Sequence, residues 1–100
     1  MMKMGAISIT AILQAKPGKE QLLRQELLKV VTPSRAEKGC LNYILHQSVE
    51  NEAIFVFYET WKDEESINLH IETDHYKQYR HHTEALIETR QVYRLQEVVH

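Results

Sequence analysis

The order in which strand-like and helix-like hydrophobic patterns follow one another is the feature that most constrains the fold of this chain. Residues 6–14 alternate between two faces, which is typical of a half-buried strand. Residues 19–31 then carry apolar side chains at helical spacing, namely Leu23, Leu27, Val30 and Val31. We expect this helix to end around Thr32 and Pro33, because proline restricts the residue before it and cannot continue the helical ladder.

The second half of the chain repeats the two patterns in a different order. Residues 40–49 and 53–61 are predicted strands, and the three polar residues between them favour an antiparallel hairpin. Asp63 and Ser66 are good helix-start residues for a short helix through Ile71. Thr73 and Asp74 offer a second start for a helix that is predicted to reach Ile87. Residues 91–99 alternate again and predict the last strand.

This β-α-β-β-α-β order predicts an α+β protein of ferredoxin-like fold, with one antiparallel four-stranded sheet and the helices on one face. We expect a single domain over residues 1–100. Both faces of residues 53–61 are bulky and mostly apolar, so this strand should be central. The sheet face without helices has no cover within the chain. We therefore predict a homodimer in which two copies pack sheet to sheet.

Composition excludes several classes of function. A formal net charge of -2 gives no basic surface for nucleic acid or an anionic membrane. No apolar run approaches the roughly 20 residues that span a bilayer, and residues 1–13 are too short and too alternating for a signal peptide, so we expect a cytoplasmic chain. Cys40 is the only cysteine, which excludes an intrachain disulfide, and we expect it to be buried and structural.

The stretch from residue 54 to residue 76 brings an acid, a large aromatic and a histidine close together. Glu59 and Trp61 are two residues apart and therefore share one face of a strand, and His70 follows on the next helix. A buried carboxylate costs several kcal/mol unless it is paired, so Glu59 needs a partner such as His70 or an arginine. This is where we expect any chemistry to be found.

Four short segments carry a resemblance to a known family: residues 38–43 (KGCLNY), 55–61 (FVFYETW), 69–70 (LH) and 73–76 (TDHY). They resemble the antibiotic biosynthesis monooxygenase superfamily of dimeric α/β barrels, especially its small quinol-monooxygenase-like members. The family pattern is Pro-Gly-Cys, a tyrosine, Glu-x-Trp and a later histidine. Lys38 stands where the family usually has proline. The resemblance extends over nearly the whole chain and implies a homodimer that forms an α/β barrel.

The resemblance implies a monooxygenase that oxidises a small quinol-like or polyphenolic substrate with molecular oxygen and uses no flavin, haem or metal. Such an enzyme supplies a dry pocket, a base for the phenolic proton and donors for the resulting anion. His70 is then the candidate base, Glu59 the group that orients it or stabilises its charge, and Trp61 a wall of the pocket or a donor. The candidate substrate-binding residues are Phe55, Phe57, Tyr43, Tyr76 and Tyr79.

Other interpretations of the same residues stay open. The base and anion-stabilising groups would also serve an isomerase or related proton-transfer enzyme acting on a small carbonyl metabolite, or a non-catalytic dimeric ligand-binding protein. His70 is equally consistent with a packing role, and Trp61 with the core. Haem-degrading relatives in the same superfamily have an asparagine on the first strand, a tryptophan on the second helix and a histidine about ten residues later. The corresponding residues here are Ser8 or Thr10, His70 and Arg80, which disfavours haem degradation. His75, His81 and His82 lack a metal-binding pattern, so we predict no metal.

Overall fold

The alternating segment near the start of the chain forms the first strand of a computed structural model that describes residues 5–100. Gly18 turns the chain after this strand with a φ of 80°, a conformation that glycine adopts without a steric cost. In chain order the elements are β1 (Ile7–Ala15), α1 (Glu20–Arg35), β2 (Cys40–Gln47), β3 (Ile54–Trp61), α2 (Glu64–Ile71), α3 (Asp74–Thr83), a single 3-10 turn (Glu84–Leu86) and β4 (Ile87–Leu95).

All strand pairs of the sheet are antiparallel, and the strands lie in the order β2-β3-β1-β4. This arrangement confirms the predicted ferredoxin-like α+β fold and the central position of β3. Phe55, Phe57 and Trp61 of β3 are at most 1% exposed and pack with Leu23 and Leu27 of α1. The core therefore lies between the helices and one face of the sheet.

The other face of the sheet is open in a single chain. Side chains that alternate with the core residues point to it, and several large ones are 38–50% exposed: Ile44, Tyr58, Tyr93 and Leu95. Ser8 and Thr60 also meet on this face, where their hydroxyl oxygens are 3.1 Å apart. The predicted pairing of two copies over this face stays a prediction.

Helix α1 continues beyond the predicted end at Thr32 and Pro33. It includes Pro33 and ends at Arg35, so the prediction was two residues short. A proline in the last turn removes one helical hydrogen bond, and the remaining donors still close the turn, since the amide of Ala36 bonds to the carbonyl of Thr32 at 3.2 Å. Ser34 is fully buried, which ties this turn to the core.

The end of the chain differs more from the expectation. The break between α2 and α3 is confirmed, and Asp63 and Thr73 cap the two helices. However, α3 ends at Thr83 instead of Ile87, and the last strand begins at Ile87 and ends at Leu95 instead of covering residues 91–99. Pairing with β1 sets this boundary, and the exposed side chains of β4 give little hydrophobic pattern from which to predict it.

Gly39 brings the loop before β2 against the start of α2. A Cβ atom at this position would lie 2.0 Å from the Ser66 Oγ atom, so a larger residue does not fit without a shift. The Gly39 carbonyl also accepts a hydrogen bond from the Lys62 amide at 2.9 Å. The close contact holds Glu37, which precedes Gly39 in the same loop, beside helix α2.

Two predictions about the whole chain are affected by the extent of the structure. Residues 1–4 lie outside the described residues. They belong to the predicted domain and to the segment that is predicted to be too short for a signal peptide. Over residues 5–100, no helix has the length and apolar character needed to cross a membrane. The expectation of a cytoplasmic chain stays a prediction.

Candidate active site

A small cavity lies between the helices and the β1–β4 side of the sheet. Its volume is about 90 Å³. Three strands and both later helices contribute to its wall: Ile9, Ala11, Glu59, Ile67, His70, Ile71, Tyr76, Tyr79, Arg90, Val92 and Arg94. The cavity is smaller than the roughly 150 Å³ that hold a benzene molecule, so a ring-sized ligand has to widen it. The lining is apolar apart from titratable groups and two arginines.

Pairing within the sheet explains why strands β1, β3 and β4 supply these residues. Ile9 is directly opposite Glu59 on β3 and opposite Arg94 on β4. Neighbouring strands place opposite residues on the same face, so this row of side chains points toward the helices. Arg90 and Val92 follow on the same face of β4, at intervals of two residues.

His70 is held by an acid that sequence reasoning did not select. Its Nδ1 atom lies 2.6 Å from the Oε2 atom of Glu37, and the same oxygen lies 2.7 Å from the Nε2 atom of His75. An ionised carboxylate only accepts hydrogen bonds, so the ring nitrogens that contact it carry the protons. His70 in its neutral form is then protonated at Nδ1 and has a bare lone pair at Nε2.

The bare nitrogen of His70 is buried. His70 is 2% exposed, and its Nε2 atom has no hydrogen-bond partner among residues 5–100. Rings surround the imidazole, with the Trp61 centroid at 4.4 Å and the Tyr76 centroid at 5.0 Å. Burial lowers the pKa of His70, although the hydrogen bond from its ring to Glu37 partly offsets this effect. The ring is therefore neutral near pH 7 and can accept a proton.

Glu59 has a different partner from the one that we expected. Its Oε1 atom accepts a hydrogen bond from the Trp61 indole nitrogen at 2.9 Å. The carboxylate that hydrogen-bonds to His70 is that of Glu37. Burial raises the pKa of Glu59 to about 7, against the lowering effect of Trp61 and of the Arg90 charge. Glu59 therefore does not hydrogen-bond to His70, and its predicted role in stabilising the charge of His70 stays a prediction. The Trp61 indole N–H donates to Glu59 and is not free to donate to a ligand.

Three further polar groups approach one another at the β4 side of the cavity. The Tyr76 hydroxyl oxygen accepts hydrogen bonds from Arg80 at 3.1 Å and from Arg90 at 3.4 Å. Tyr79 is 5% exposed, and burial raises its pKa while the neighbouring Arg90 lowers it. Arg94 pairs instead with Glu64. Cationic donors thus stand near the phenolic groups of the cavity wall.

The structure places the predicted site residues in two groups. Glu59, His70, Tyr76 and Tyr79 line the cavity. The others lie in the core on the β2–β3 side: Trp61, Phe55, Phe57 and Tyr43. These four residues are not among those that line the cavity; Trp61 packs against the His70 ring, and Phe57 packs between Tyr43 and Tyr79. Their predicted contact with a substrate stays a prediction. Trp61 nevertheless contacts two residues of the cavity wall, His70 and Glu59.

Sequence reasoning missed Glu37 and Arg90 and considered His75 only as a metal ligand. Arg90 lies one residue before the predicted start of the last strand. The prediction therefore did not place Arg90 and Val92 on the same face of that strand. Glu37 lies in a loop and gives no periodic signal. The one signal in the sequence is that Glu37 stands two residues before Gly39, and a glycine next to a predicted strand start indicates a turn or a close backbone contact.

One cluster has the donor set of a metal site. Among residues 5–100, ligand atoms of Glu37, His70 and His75 all lie within 4.8 Å of one another. Ligands of a tetrahedral ion with bonds of about 2.1 Å are separated by roughly 3.4 Å. The distances of 2.6 and 2.7 Å from Glu37 are instead those of hydrogen bonds, so this arrangement is a proton network as it stands.

Cys40 lies outside this network. It is half-buried, less than we expected, and its Sγ atom is 3.5 Å from the carbonyl oxygen of Asn42. Burial raises its pKa to about 11, and the negative charge of Glu37 adds to the effect. The thiol is therefore protonated at neutral pH and is a poor nucleophile.

Comparison with known proteins agrees with this architecture. The family model for antibiotic biosynthesis monooxygenase matches residues 6–82. The chain is 38% identical over 71 residues to the Bacillus subtilis protein named "Putative monooxygenase YcnE", which covers 71% of this chain and 75% of that protein. It is 30% identical over 74 residues to "Putative monooxygenase Rv0793" of Mycobacterium tuberculosis, covering 74% and 72% of the two chains.

Solved structures show the same fold over nearly the full length. The structure of PA3566 from Pseudomonas aeruginosa superposes with a TM-score of 0.92 at 31% identity, and covers 99% of this chain and all of that one. The structure of Rv0793 superposes with a TM-score of 0.88 at 26% identity, and covers 95% and 97%. On these sequence and structural similarities, the chain belongs to the antibiotic biosynthesis monooxygenase family.

Proposed function

We propose that this protein is a cofactor-independent monooxygenase that oxidises a small quinol-like substrate with molecular oxygen. The observation that carries the proposal is the buried, bare Nε2 atom of His70, held in a cavity wall by Glu37. A neutral imidazole in this setting is a base for a phenolic proton. The family membership and the names of the relatives support an oxygenase over other reactions of such a base.

The reaction needs no external reductant, because the quinol supplies the electrons. His70 accepts the hydroxyl proton, and the resulting anion transfers electrons to oxygen. One oxygen atom forms a carbon–oxygen bond with the ring, the oxygen–oxygen bond breaks, and the other atom leaves as water. A quinol and one oxygen molecule thus give a hydroxyquinone and one water molecule.

The other residues of the wall support the anion that this step creates. Arg90, an exposed residue at the cavity wall, places a positive charge near Tyr76 and near the buried groups Glu59 and Tyr79. Such a charge stabilises a phenolate more strongly than it would in bulk water. Glu59 takes part through its proton: with a pKa of about 7 it holds or releases one near neutral pH. Trp61 acts as a positioning residue, because it contacts both Glu59 and His70.

The test is oxygen consumption with a panel of reduced quinols, on protein that carries no flavin, haem or metal by absorption and metal analysis. At least one quinol should consume oxygen faster with protein than without it. Replacing His70 by alanine should lower the rate by about 10²-fold or more. His82→Ala is the matched control, because His82 is an exposed histidine of α3 away from the cavity. A folded His70→Ala variant with normal turnover would exclude the proposed base.

The same geometry favours one second candidate, a proton-transfer enzyme such as an isomerase of a small carbonyl metabolite. Two acid–base groups, Glu59 and His70, line one cavity, and enolisation uses such a pair. Exchange of an α-proton of small ketoses into deuterated water, with no quinol-dependent oxygen uptake, would replace the first proposal by this one. Ligand binding with neither reaction would leave a non-catalytic binding protein.

We also propose that the protein is a homodimer formed over the open sheet face. The exposed apolar side chains of this face are Ile44, Tyr58, Tyr93 and Leu95, and a second copy would remove them from water. Light scattering during size-exclusion chromatography should give twice the chain mass of 11.8 kDa. Tyr58→Asp should shift this mass toward the monomer, and a monomeric wild-type protein would contradict the proposal.

A further inference from the structure

Two positively charged side chains share one neutral partner at the edge of the cavity. The guanidinium groups of Arg80 and Arg90 both donate to the hydroxyl oxygen of Tyr76, at 3.1 and 3.4 Å. Among residues 5–100, neither arginine forms an ion pair with a carboxylate, whereas Arg94 is paired with Glu64. Two like charges that approach one hydroxyl repel each other, and a negative group between them would relieve this repulsion.

The hydrogen-bond chemistry of the same three residues selects an anion. A phenolic oxygen has two lone pairs, and the two arginines occupy them. The Tyr76 proton then remains available, since Tyr76 donates its hydroxyl proton to no acceptor within residues 5–100. Arginine has donors only. The group of Arg80, Arg90 and Tyr76 thus presents several donors and no free acceptor, a set that matches a carboxylate.

Arg90 connects this group to the site of the proposed reaction. It lines the inner cavity together with His70, and it also lines an outer groove of about 450 Å³. The other residues of this groove include Arg80 and the acids Glu84 and Glu88. The two sites adjoin, because Arg90 lines both of them, and the ring of Tyr76 lies next to that of His70, with centroids 5.0 Å apart. An aromatic ring near His70 can therefore carry a substituent that reaches the outer groove. Because the inner cavity is small, a contact in the groove would also help to bind the ligand.

We propose that Arg80, Arg90 and Tyr76 form a subsite for a carboxylate, so that the substrate is an aromatic quinol that carries a carboxylate group. The ring position relative to His70 rests on the proposed function, whereas the carboxylate subsite rests on the contacts of the three residues. No ion pair joins the arginines to Glu84 or Glu88 of the groove, or to Glu59 of the inner cavity. The charge of Arg90 does act on Glu59, whose pKa it lowers. Arg90 is then a specificity-determining residue.

The test compares the binding of two probes that differ at one carboxyl group, 2,5-dihydroxybenzoate and its uncharged methyl ester, by calorimetry without oxygen. Wild-type protein should bind the carboxylate at least about tenfold more tightly than the ester, as expected for charge-assisted hydrogen bonds. Arg90→Gln and Arg80→Gln should each reduce this preference, and the double variant should abolish it. Arg24→Gln removes an exposed arginine of α1 and should retain it.

Equal affinity of wild-type protein for the two probes would overturn the inference, as would a preference that survives in the double variant. Circular dichroism of each variant confirms that it is folded. The result is independent of turnover: an arginine-dependent preference without oxygen consumption would support the subsite and contradict the proposed oxygenase. Oxygen consumption that is equal for the acid and the ester would support the oxygenase and contradict the subsite.

Discussion

Replacing Glu59 by glutamine should stabilise the folded protein at alkaline pH and change its stability little in acid. Glu59 is 6% exposed, and burial raises its pKa to about 7 from an ordinary value of 4.5. The folded protein therefore keeps a proton that the unfolded chain has already released. Glutamine resembles the protonated side chain in shape, and its oxygen can still accept the hydrogen bond from Trp61.

The raised pKa of Glu59 determines the direction in which the free energy of unfolding changes with pH. The stabilisation by the protonated carboxyl is complete below pH 4.5 and is lost as the pH rises through 7. Each pKa unit between the folded and unfolded states corresponds to about 1.4 kcal/mol, so the total loss is about 3 kcal/mol. Most of it, about 2.5 kcal/mol, falls between pH 5 and pH 8.

Urea unfolding of the wild-type protein and the Glu59→Gln variant at both pH values measures this effect. The free energy of unfolding of the variant relative to wild type should rise by about 2.5 kcal/mol from pH 5 to pH 8. The lowered pKa of His70 makes a contribution of the opposite sign, but this contribution is common to both proteins. Glu50→Gln, an exposed loop substitution, is the matched control and should change the difference by less than about 0.5 kcal/mol.

A difference that is constant within about 0.5 kcal/mol between the two pH values would refute the reasoning. Glu59 would then be ionised in the folded protein throughout this range. In that case the charge of Arg90 and the Trp61 hydrogen bond would outweigh burial, and the proton that we assign to Glu59 near neutral pH would be absent.

Two further predictions concern the support of His70. Glu37→Gln should lower kcat/KM by on the order of tenfold. It should also move the acid limb of the pH profile to lower pH, because Glu37 raises the pKa of His70. An unchanged acid limb would contradict the role of Glu37. Gly39→Ala should destabilise the protein by about 1–3 kcal/mol in urea unfolding, because the added Cβ lies 2.0 Å from the Ser66 Oγ atom, and unaltered stability would show that the loop shifts freely.

The sequence predicted the fold because its elements have clear local patterns. Strands β1 and β3 alternate or carry dense apolar residues, and α1 has a regular stripe of buried side chains. Asp63 and Thr73 mark the two later helix starts by their capping side chains. The last strand was misplaced by four residues at its start, since its position depends on pairing with β1 and not on its own exposed side chains.

The site was predictable only in part, for a different physical reason. Glu59 and His70 stand out as polar residues within apolar elements, and both line the cavity. Their partners depend on tertiary contacts: Glu37 reaches His70 from a loop 33 residues away, and Arg90 approaches Tyr76 from another element. Spacing along one element cannot predict such contacts. It also could not show that Phe55 is buried in the core and lies outside the cavity wall.

The most direct test of the central claim is a nitrogen-15 NMR titration of His70, which reports the proton on each ring nitrogen. The central claim is that Glu37 holds a proton on Nδ1 and leaves Nε2 bare within the cavity. At pH 7 the spectrum should show His70 neutral, protonated at Nδ1 and unprotonated at Nε2, with a pKa below the ordinary 6.5. A proton on Nε2 at this pH, with Nδ1 bare or with both nitrogens protonated, would contradict the proposed base.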